Sequence, residues 1–110
     1  MEIRKGKKRD VEGIGELLEE YPVPMEEVKK NLGAGMVYVA EEKGKIIGFA
    51  DGKVQEDKAY GRILHFFVKK EYRGRGIATK LLEELKKEFK NRNIKTVSLE
   101  CAIMDKKQES

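Results

Sequence analysis

The residues best suited to chemistry form a short turn, Arg73-Gly74-Arg75-Gly76. The apolar run from Ile63 to Val68 predicts a buried strand before it, and Thr79 to Lys90 predicts a helix after it. Two glycines let the backbone adopt positive φ and let a ligand approach closely. The first N–H groups of a helix lack intrahelical partners and carry partial positive charge. The turn therefore predicts a binding site for a phosphate group.

Two familiar phosphate-binding fingerprints do not fit this turn. The dinucleotide fingerprint needs a third glycine where Thr79 stands, and the P-loop needs a Gly-Lys pair followed by Ser or Thr. What remains is Arg73-x-x-Gly76-x-Ala78, preceded by Phe66-Phe67-Val68-Lys69-Lys70-Glu71-Tyr72. Together these strings resemble motif A of the GNAT N-acetyltransferase superfamily, in which the turn holds the pyrophosphate of coenzyme A. The resemblance implies that the ligand of this turn is acetyl-CoA.

Hydrophobic periodicity along the chain predicts the order β-α-α-β-β-β-α-β. Asp10 is a candidate N-cap for the first helix, Pro24 fits the start of the second, and Lys43-Gly44 is a tight hairpin turn. Strands are predicted at 3–8, 36–42, 45–53, 60–68 and 95–102. The order also resembles the GNAT fold, a mixed α+β (α/β) class with a mostly antiparallel twisted sheet flanked by helices.

The resemblance covers residues 1–101, whereas the family normally continues with another helix and two strands. We therefore expect one acetyltransferase-like domain at 1–103, short at its C-terminal side, and a polar tail at 104–110. A chain of 110 residues is long enough to bury one hydrophobic core.

Composition narrows the classes of function. Charged residues make up 40% of the chain and the net charge is +4, which suits an anionic ligand. No strand interleaves basic and aromatic residues in the way that stacks bases, so we expect no nucleic-acid partner. No stretch is long and apolar enough to span a membrane, and 1–5 lack a signal region, so we expect a cytoplasmic protein without membrane contact. The lone Cys101 reads as a small core residue, and no cluster of residues suggests a metal.

The resemblance implies transfer of an acetyl group from acetyl-CoA to an amine. The backbone at the end of the fourth strand, beside a bulge, would donate to the thioester carbonyl. The turn would bind the pyrophosphate through its N–H groups, its two arginines and a threonine hydroxyl; alternatively, the arginines are solvated surface cations. The predicted coenzyme-binding residues are Phe66, Phe67, Val68, Arg73, Gly74, Arg75, Gly76, Ile77, Ala78 and Thr79.

An amine with a pKa of about 10.4 must lose a proton before it attacks, and a base or a water chain must accept that proton. His65 is the only histidine and lies on the fourth predicted strand, so it is the first candidate; a structural or surface histidine is the alternative. Glu100, near the end of the last strand, is the second candidate, and Glu41 is a weaker one. The family's usual acid is a tyrosine on the helix that this chain lacks, and Asp105 lies near a position where the family often has an asparagine.

The acceptor amine is expected to be cationic. From Asp10 to Glu27 the chain contains seven acidic residues and no Lys or Arg, and in the resembled family the first two helices line the acceptor side. Cations dominate near the coenzyme turn, so opposite fields would attract opposite ligands. The alternative is an ordinary solvated acidic helix face.

Three functions are consistent with these patterns. The first is an N-acetyltransferase for a small cationic amine or a protein amine. The second is a non-catalytic acyl-CoA-binding or regulatory module of the same fold, and the third, disfavoured, is a basic nucleic-acid-binding domain. We also expect a two-fold homodimer, because the last strand (95–102) has alternate apolar residues and only one charge between Val97 and Cys101 to protect its edge. The helix that follows in the resembled family would also have covered apolar surface from Ile94, Val97 and Leu99, which a partner chain could cover instead.

Overall fold

The computed structural model describes residues 1–19, 23–55, 57 and 59–99. Its elements follow the predicted order, with two short 3₁₀ turns at Lys8–Asp10 and Lys70–Tyr72. The strands are β1 (Glu2–Lys5), β2 (Val37–Glu42), β3 (Lys45–Gln55), β4 (Tyr60–Val68) and β5 (Thr96–Leu99). The helices are α1 (Val11–Leu17), α2 (Met25–Gly33) and α3 (Ile77–Asn91). None of these helices is long and apolar enough to cross a membrane.

One sheet contains the five strands in the order β1-β2-β3-β4-β5. Neighbours from β1 to β4 are antiparallel and β5 lies parallel to β4, which confirms the predicted mixed and mostly antiparallel architecture. The hairpin turn is also confirmed, because Lys43 and Gly44 both have positive φ, at 49° and 81°. That conformation matches the twist of the two strands that it joins.

Three details differ from the sequence prediction. The first strand ends at Lys5, because the chain tightens into the 3₁₀ turn that ends at Asp10. The Asp10 carboxylate does not cap α1; it accepts hydrogen bonds from the Arg4 guanidinium and from the Lys7 N–H instead. β3 continues to Gln55, two residues beyond the predicted end. Cys101 and most of the predicted tail lie outside the described residues.

Helices cover the sheet on both faces. On one face, α3 buries Leu81, Leu85 and Phe89 completely against the strands. On the other, α1 and α2 bury Ile14 and Val28 in a second cluster. Complete burial of such a side chain contributes about 1.5 to 3 kcal/mol, so these two clusters hold the sheet between its helices.

A β-bulge at Leu64 changes the face to which β4 side chains belong. Asp51 pairs with His65 and Gly52 pairs with Ile63, so Leu64 is an extra residue in β4. Ile63 belongs to the α3 cluster, whereas Phe67 belongs to the α1/α2 cluster. In a regular strand these two side chains would share a face, because side chains alternate with a period of two. The bulge lies just before Phe66–Val68, which form the regular end of the strand.

The ring of Phe89 fills the space above two glycines of the sheet. A Cβ on Gly61 would lie 2.6 Å from Phe89 ring carbons, closer than real contacts allow, whereas a Cβ on Gly15 in α1 would meet nothing within 4 Å. Glycine at 61 therefore makes room for the ring.

We expect Gly61→Ala to lower the free energy of unfolding by about 1 to 3 kcal/mol, the usual cost of overpacking. Gly15→Ala is the matched control and should be neutral or stabilising by up to about 1 kcal/mol, because alanine favours a helix. Urea unfolding of the two variants measures both changes. A Gly61→Ala variant as stable as the wild type would contradict the packing described above.

Candidate functional site

The turn before α3 has the backbone conformation that an anion site requires. Gly74 and Gly76 have φ of 80° and 78°, and Gly76 is the residue from which α3 starts. No side chain caps this helix start, and its first turn contains no acidic residue that would compete with an anion. A Cβ on either glycine would meet nothing within 4 Å, so the space in front of the turn is open. These features fit a phosphate group.

Packing holds α3 in place behind that open turn. Ile77, the first helical residue, is 3% exposed, and Leu81 one turn later is fully buried. Ala78 is half-buried and Thr79 is exposed on the first turn, where its hydroxyl is accessible. Because the buried side chains fix the rotation of the helix, its free N–H groups have a fixed direction.

Both arginines of the turn contact aromatic rings. The Arg73 Nε donates to the Val68 carbonyl at 2.7 Å, and its guanidinium carbon lies 5.2 Å from the centre of the Phe67 ring. The Arg75 guanidinium lies 5.2 Å from the centre of the Tyr72 ring. Contacts of this kind stabilise a cation in a defined place. The arginines are thus held beside the turn by these rings, and their contact with a phosphate stays a prediction.

The end of β4 contributes to both faces of the sheet. Phe67 and Val68 are buried at 4% and 5% exposure, and Phe66 is half-buried against the α3 cluster. The structure thus brings the predicted coenzyme-binding residues of β4 and of the turn into one continuous segment, joined by the 3₁₀ turn at Lys70–Tyr72.

His65 takes part in a buried polar chain that the sequence did not predict. Its Nδ1 lies 3.0 Å from Asp51 Oδ1, and the Asn31 side-chain amide donates to Asp51 Oδ2 at 3.0 Å. Asp51 is fully buried and Asn31 is 5% exposed. The hydrogen bond to Asp51 raises the pKa of His65, burial opposes that rise, and the negative charges of Asp51 and Glu27 add to it.

Glu41 and Glu100 are the other two residues that the sequence offered as candidate bases. Glu41 accepts a hydrogen bond from the Arg4 guanidinium at 2.9 Å, so it belongs to an ion-pair network near β1. Glu100 lies outside the described residues. One signal for Asp51 was present in the sequence, since an acid directly follows the apolar run Ile46–Ala50 inside a predicted strand.

A groove of 980 Å³ separates α1 from the segment that precedes α3. Phe67 and Ile46 are among its apolar lining residues, and Arg9 and Lys45 also line it. Acids in and just after α1, and cations before α3, both face this space; they are Glu12, Glu16, Glu19, Lys69, Lys70 and Arg73. The described residues contain no group of His, Cys, Asp and Glu that could hold a metal ion.

Residues 8–107 match the model of the acetyltransferase (GNAT) family. The chain belongs to this family. The predicted family and fold are thereby confirmed, and the strand, turn and helix start described above correspond to the motif from which the family was predicted.

The relatives show how far the likeness extends. An uncharacterized N-acetyltransferase of Methanocaldococcus jannaschii is 34% identical over 90 residues, which are 77% of this chain and 56% of the relative. The chain thus spans about half the length of that relative. An acetyltransferase of Vibrio fischeri is similar in structure, with a TM-score of 0.69 and 25% identity over 92% of this chain and 96% of its own. An aminoglycoside N-acetyltransferase solved in complex with CoA has a TM-score of 0.80, with 20% identity, 98% coverage of this chain and 81% of its own. That last likeness shows the fold alone.

Arg4 and Asp10, which both line the groove, form an ion pair whose contribution to stability depends on pH. Two Arg4 nitrogens contact the Asp10 carboxylate at 2.8 and 3.0 Å, and the Lys7 N–H donates to it at 2.7 Å. The Arg4 hydrogen bond holds the pKa of Asp10 below its usual value, although burial opposes this. A carboxylate with a lowered folded pKa stabilises the fold above its unfolded pKa of about 3.9 and loses that contribution as pH falls through the folded pKa.

We expect Asp10→Asn to lower the free energy of unfolding at pH 7 by about 1 to 3 kcal/mol. The difference from the wild type should shrink steadily below about pH 4, because the wild-type carboxylate then becomes protonated too. Thermal or urea unfolding across pH measures this, with Asp57→Asn on an exposed aspartate as the control. A difference that is independent of pH would contradict the ionic origin.

Proposed function

We propose that this chain is an acetyl-CoA-dependent N-acetyltransferase that acetylates a primary amine. The observation that carries the proposal is the open turn at Gly74 and Gly76, where uncapped N–H groups start a helix without a competing acid. Membership of the acetyltransferase (GNAT) family supports it. So does the aminoglycoside N-acetyltransferase of the same fold, which is solved in complex with CoA.

The residues of the turn fit the pyrophosphate of acetyl-CoA, which is a substrate of this reaction. The N–H groups from Gly76 to Thr79 would donate to its oxygens, and the Thr79 hydroxyl is accessible to add another donor. Arg73 and Arg75 would add positive charge beside them. Phosphate oxygens accept charge-assisted hydrogen bonds of this kind, which are stronger than neutral ones.

The proposed reaction releases one proton for each acetyl group transferred. The acceptor ammonium first loses one proton, and the free amine nitrogen then attacks the thioester carbonyl carbon. The carbon–sulfur bond breaks, and its electron pair leaves on sulfur. A second proton passes from the attacked nitrogen to the sulfur, which gives an amide, free CoA thiol and one released proton. The chain must therefore orient both substrates and accept a proton from the ammonium.

We further propose that the acceptor is a cationic amine. Glu12 and Glu16 of α1 line the groove and form no ion pair with another described residue, so their charge is available to a ligand. Phe67 lines the groove and belongs to β4, the strand that leads to the coenzyme turn. An ammonium in the groove would meet the acids of α1, whereas the cations that precede α3 suit the anionic coenzyme.

An acceptor panel separates the enzyme from a non-catalytic acyl-CoA-binding module. The protein is incubated with acetyl-CoA and with cationic and neutral primary amines while free thiol is followed. Thiol release that requires an amine supports the enzyme. Tight binding of acetyl-CoA without release under any acceptor would favour the binding module and contradict the proposal.

We expect Gly76→Asp to lower the affinity for CoA more than about 30-fold, or about 2 kcal/mol, because it places a negative charge at the phosphate site. Gly35→Asp is a matched control: Gly35 also has positive φ, at 77°, but it lies beside Arg92 at the other end of α3. Calorimetry gives both affinities, and circular dichroism checks that both variants fold. Equal losses in the two variants would show that backbone strain, and not the site, explains the effect.

We expect the double variant Glu12→Gln, Glu16→Gln to raise KM for a cationic amine about fivefold at low salt, since each exposed charge contributes up to about 1 kcal/mol. The increase should diminish as salt is added, because screening weakens exposed charges. Glu2→Gln, Glu83→Gln changes the net charge equally at exposed positions elsewhere and should leave KM unchanged. Steady-state kinetics decide between the specific and the general effect of charge.

The homodimer and the cytoplasmic location stay predictions. In the described part of the chain, β5 pairs only with β4, and Leu99 is 53% exposed on it, which is consistent with a strand edge that can pair. The prediction that Ile94 adds to an exposed apolar surface was wrong, because Ile94 is 8% exposed and packs in the α3 cluster.

A further inference from the structure

We propose that His65 is the general base of the acetyl transfer and that Asp51 and Asn31 are the positioning residues that orient it. This inference rests on the proposed function, because it assigns the proton acceptor that the reaction needs. It starts from a buried chain of three side chains, one each from α2, β3 and β4.

The orientation of the His65 imidazole is determined by Asp51. Asp51 Oδ1 lies 3.0 Å from His65 Nδ1, and an ionised carboxylate accepts hydrogen bonds but donates none. The neutral ring must therefore carry its proton on Nδ1, which leaves Nε2 as a hydrogen-bond acceptor. No hydrogen bond from another described residue reaches Nε2. A base needs a nitrogen in this state.

The Asp51 carboxylate is itself held in place. Asp51 is fully buried, and its second oxygen, Oδ2, accepts a hydrogen bond from the Asn31 side-chain amide at 3.0 Å. The backbone of Asn31 is also held in place, because its main-chain carbonyl accepts a hydrogen bond from the Met36 N–H at 2.9 Å. Every buried side-chain nitrogen and oxygen among the described residues has a partner, so this chain is complete. Burying polar side chains costs free energy that their mutual hydrogen bonds offset only in part, which points to a functional reason for their presence.

The His65 ring lies on the face of the sheet that α1 and α2 cover. The bulge at Leu64 moves His65 and Phe67 to the sheet face that α1 and α2 cover, and Phe67 lines the groove. His65 is two residues before Phe67, a distance of about 7 Å along a strand. His65 itself is not among the residues that line the groove, and its side chain is 15% exposed. The charged groups that act on it are Asp51 from β3 and Glu27 from α2.

These contacts define the proton path. His65 Nε2 accepts one proton from the acceptor ammonium and becomes the cation that Asp51 stabilises. The free amine attacks the thioester carbonyl carbon, the carbon–sulfur bond breaks, and the proton on the attacked nitrogen passes to the sulfur. The imidazolium then returns its proton to water. One acetyl group has moved and one proton has been released.

The chain contains one histidine, so its imidazole can be observed without ambiguity by nitrogen NMR. We expect the neutral ring to be the Nδ1–H tautomer and to titrate above its ordinary value. Asp51→Asn should lower the titration midpoint by about one to three pH units, since a neighbouring opposite charge is lost. Asp57→Asn, on an exposed aspartate, should leave it unchanged. An Nε2–H tautomer in the wild type would overturn the proposal.

Kinetics supply the second readout. We expect His65→Gln to lower kcat/KM about 10²- to 10⁴-fold, the usual contribution of a general base, with CoA affinity unchanged. The acidic limb of the wild-type pH–rate profile should coincide with the NMR midpoint and should move with it in Asp51→Asn. Asn31→Ala should lower kcat more than it raises KM, whereas a purely structural role would only lower stability.

The outcomes are distinguishable. A wild type that never releases thiol with any amine overturns the proposed function and the base together. An active wild type whose kcat/KM survives His65→Gln, or whose pH limb ignores Asp51→Asn, overturns the base alone. Unfolding of Asp51→Asn in urea, run in parallel, shows that each comparison is made between folded proteins.

Discussion

One extra residue in β4 determines what this sheet can do. With the bulge at Leu64, the strand places Ile63 under α3 and Phe67 under α1 and α2. Without it, side-chain alternation would turn the end of the strand over, and every side chain from His65 onward would face the wrong helices. The pairing of His65 with Asp51 depends on the same register. The coenzyme turn follows three 3₁₀ residues later, so its direction depends on this register too.

The two halves of the site depend on different physical features. The coenzyme turn depends on backbone: positive φ at two glycines, a helix start without a capping side chain, and α3 fixed by buried leucines. The proposed acceptor side depends on side chains: acids of α1 that line the groove, and a buried carboxylate 3.0 Å from an imidazole nitrogen. Backbone features tolerate many sequences, whereas a side-chain feature is lost with a single substitution. Proteins of one fold can therefore keep the same helix start and differ in the side chains opposite it.

The sequence predicted the fold and the conformation of the glycine turn because these are local patterns. The glycine spacing at Gly74 and Gly76, the hairpin at Lys43-Gly44 and the apolar stripe of α3 each lie within a short stretch, and short stretches carry their own conformational preference. The chain formed by Asn31, Asp51 and His65 could not be predicted in this way. Its members are 20 and 14 residues apart. Asp51 and His65 meet because β3 and β4 pair in one register, and Asn31 meets Asp51 because α2 packs against the sheet.

The predictions for Asp10 and Ile94 were wrong for the same reason, since both residues make contacts with distant parts of the chain. Asp10 has the residue type and position of an N-cap, but a bidentate contact with Arg4 uses both of its oxygens. Ile94 looked like part of an exposed surface, but it packs beneath α3 in the cluster that contains Phe89. In each case a tertiary contact took priority over a local preference, and a single sequence does not contain the distance between two segments.

The ring of Phe89 has a consequence for how the family can change over time. It lies within contact distance of any side chain added at Gly52 or Gly61, at 2.8 and 2.6 Å from a Cβ. Three positions on three different elements therefore share one volume. A relative with alanine at either glycine position should carry a smaller residue in place of the phenylalanine, so substitutions at these sites are expected to covary.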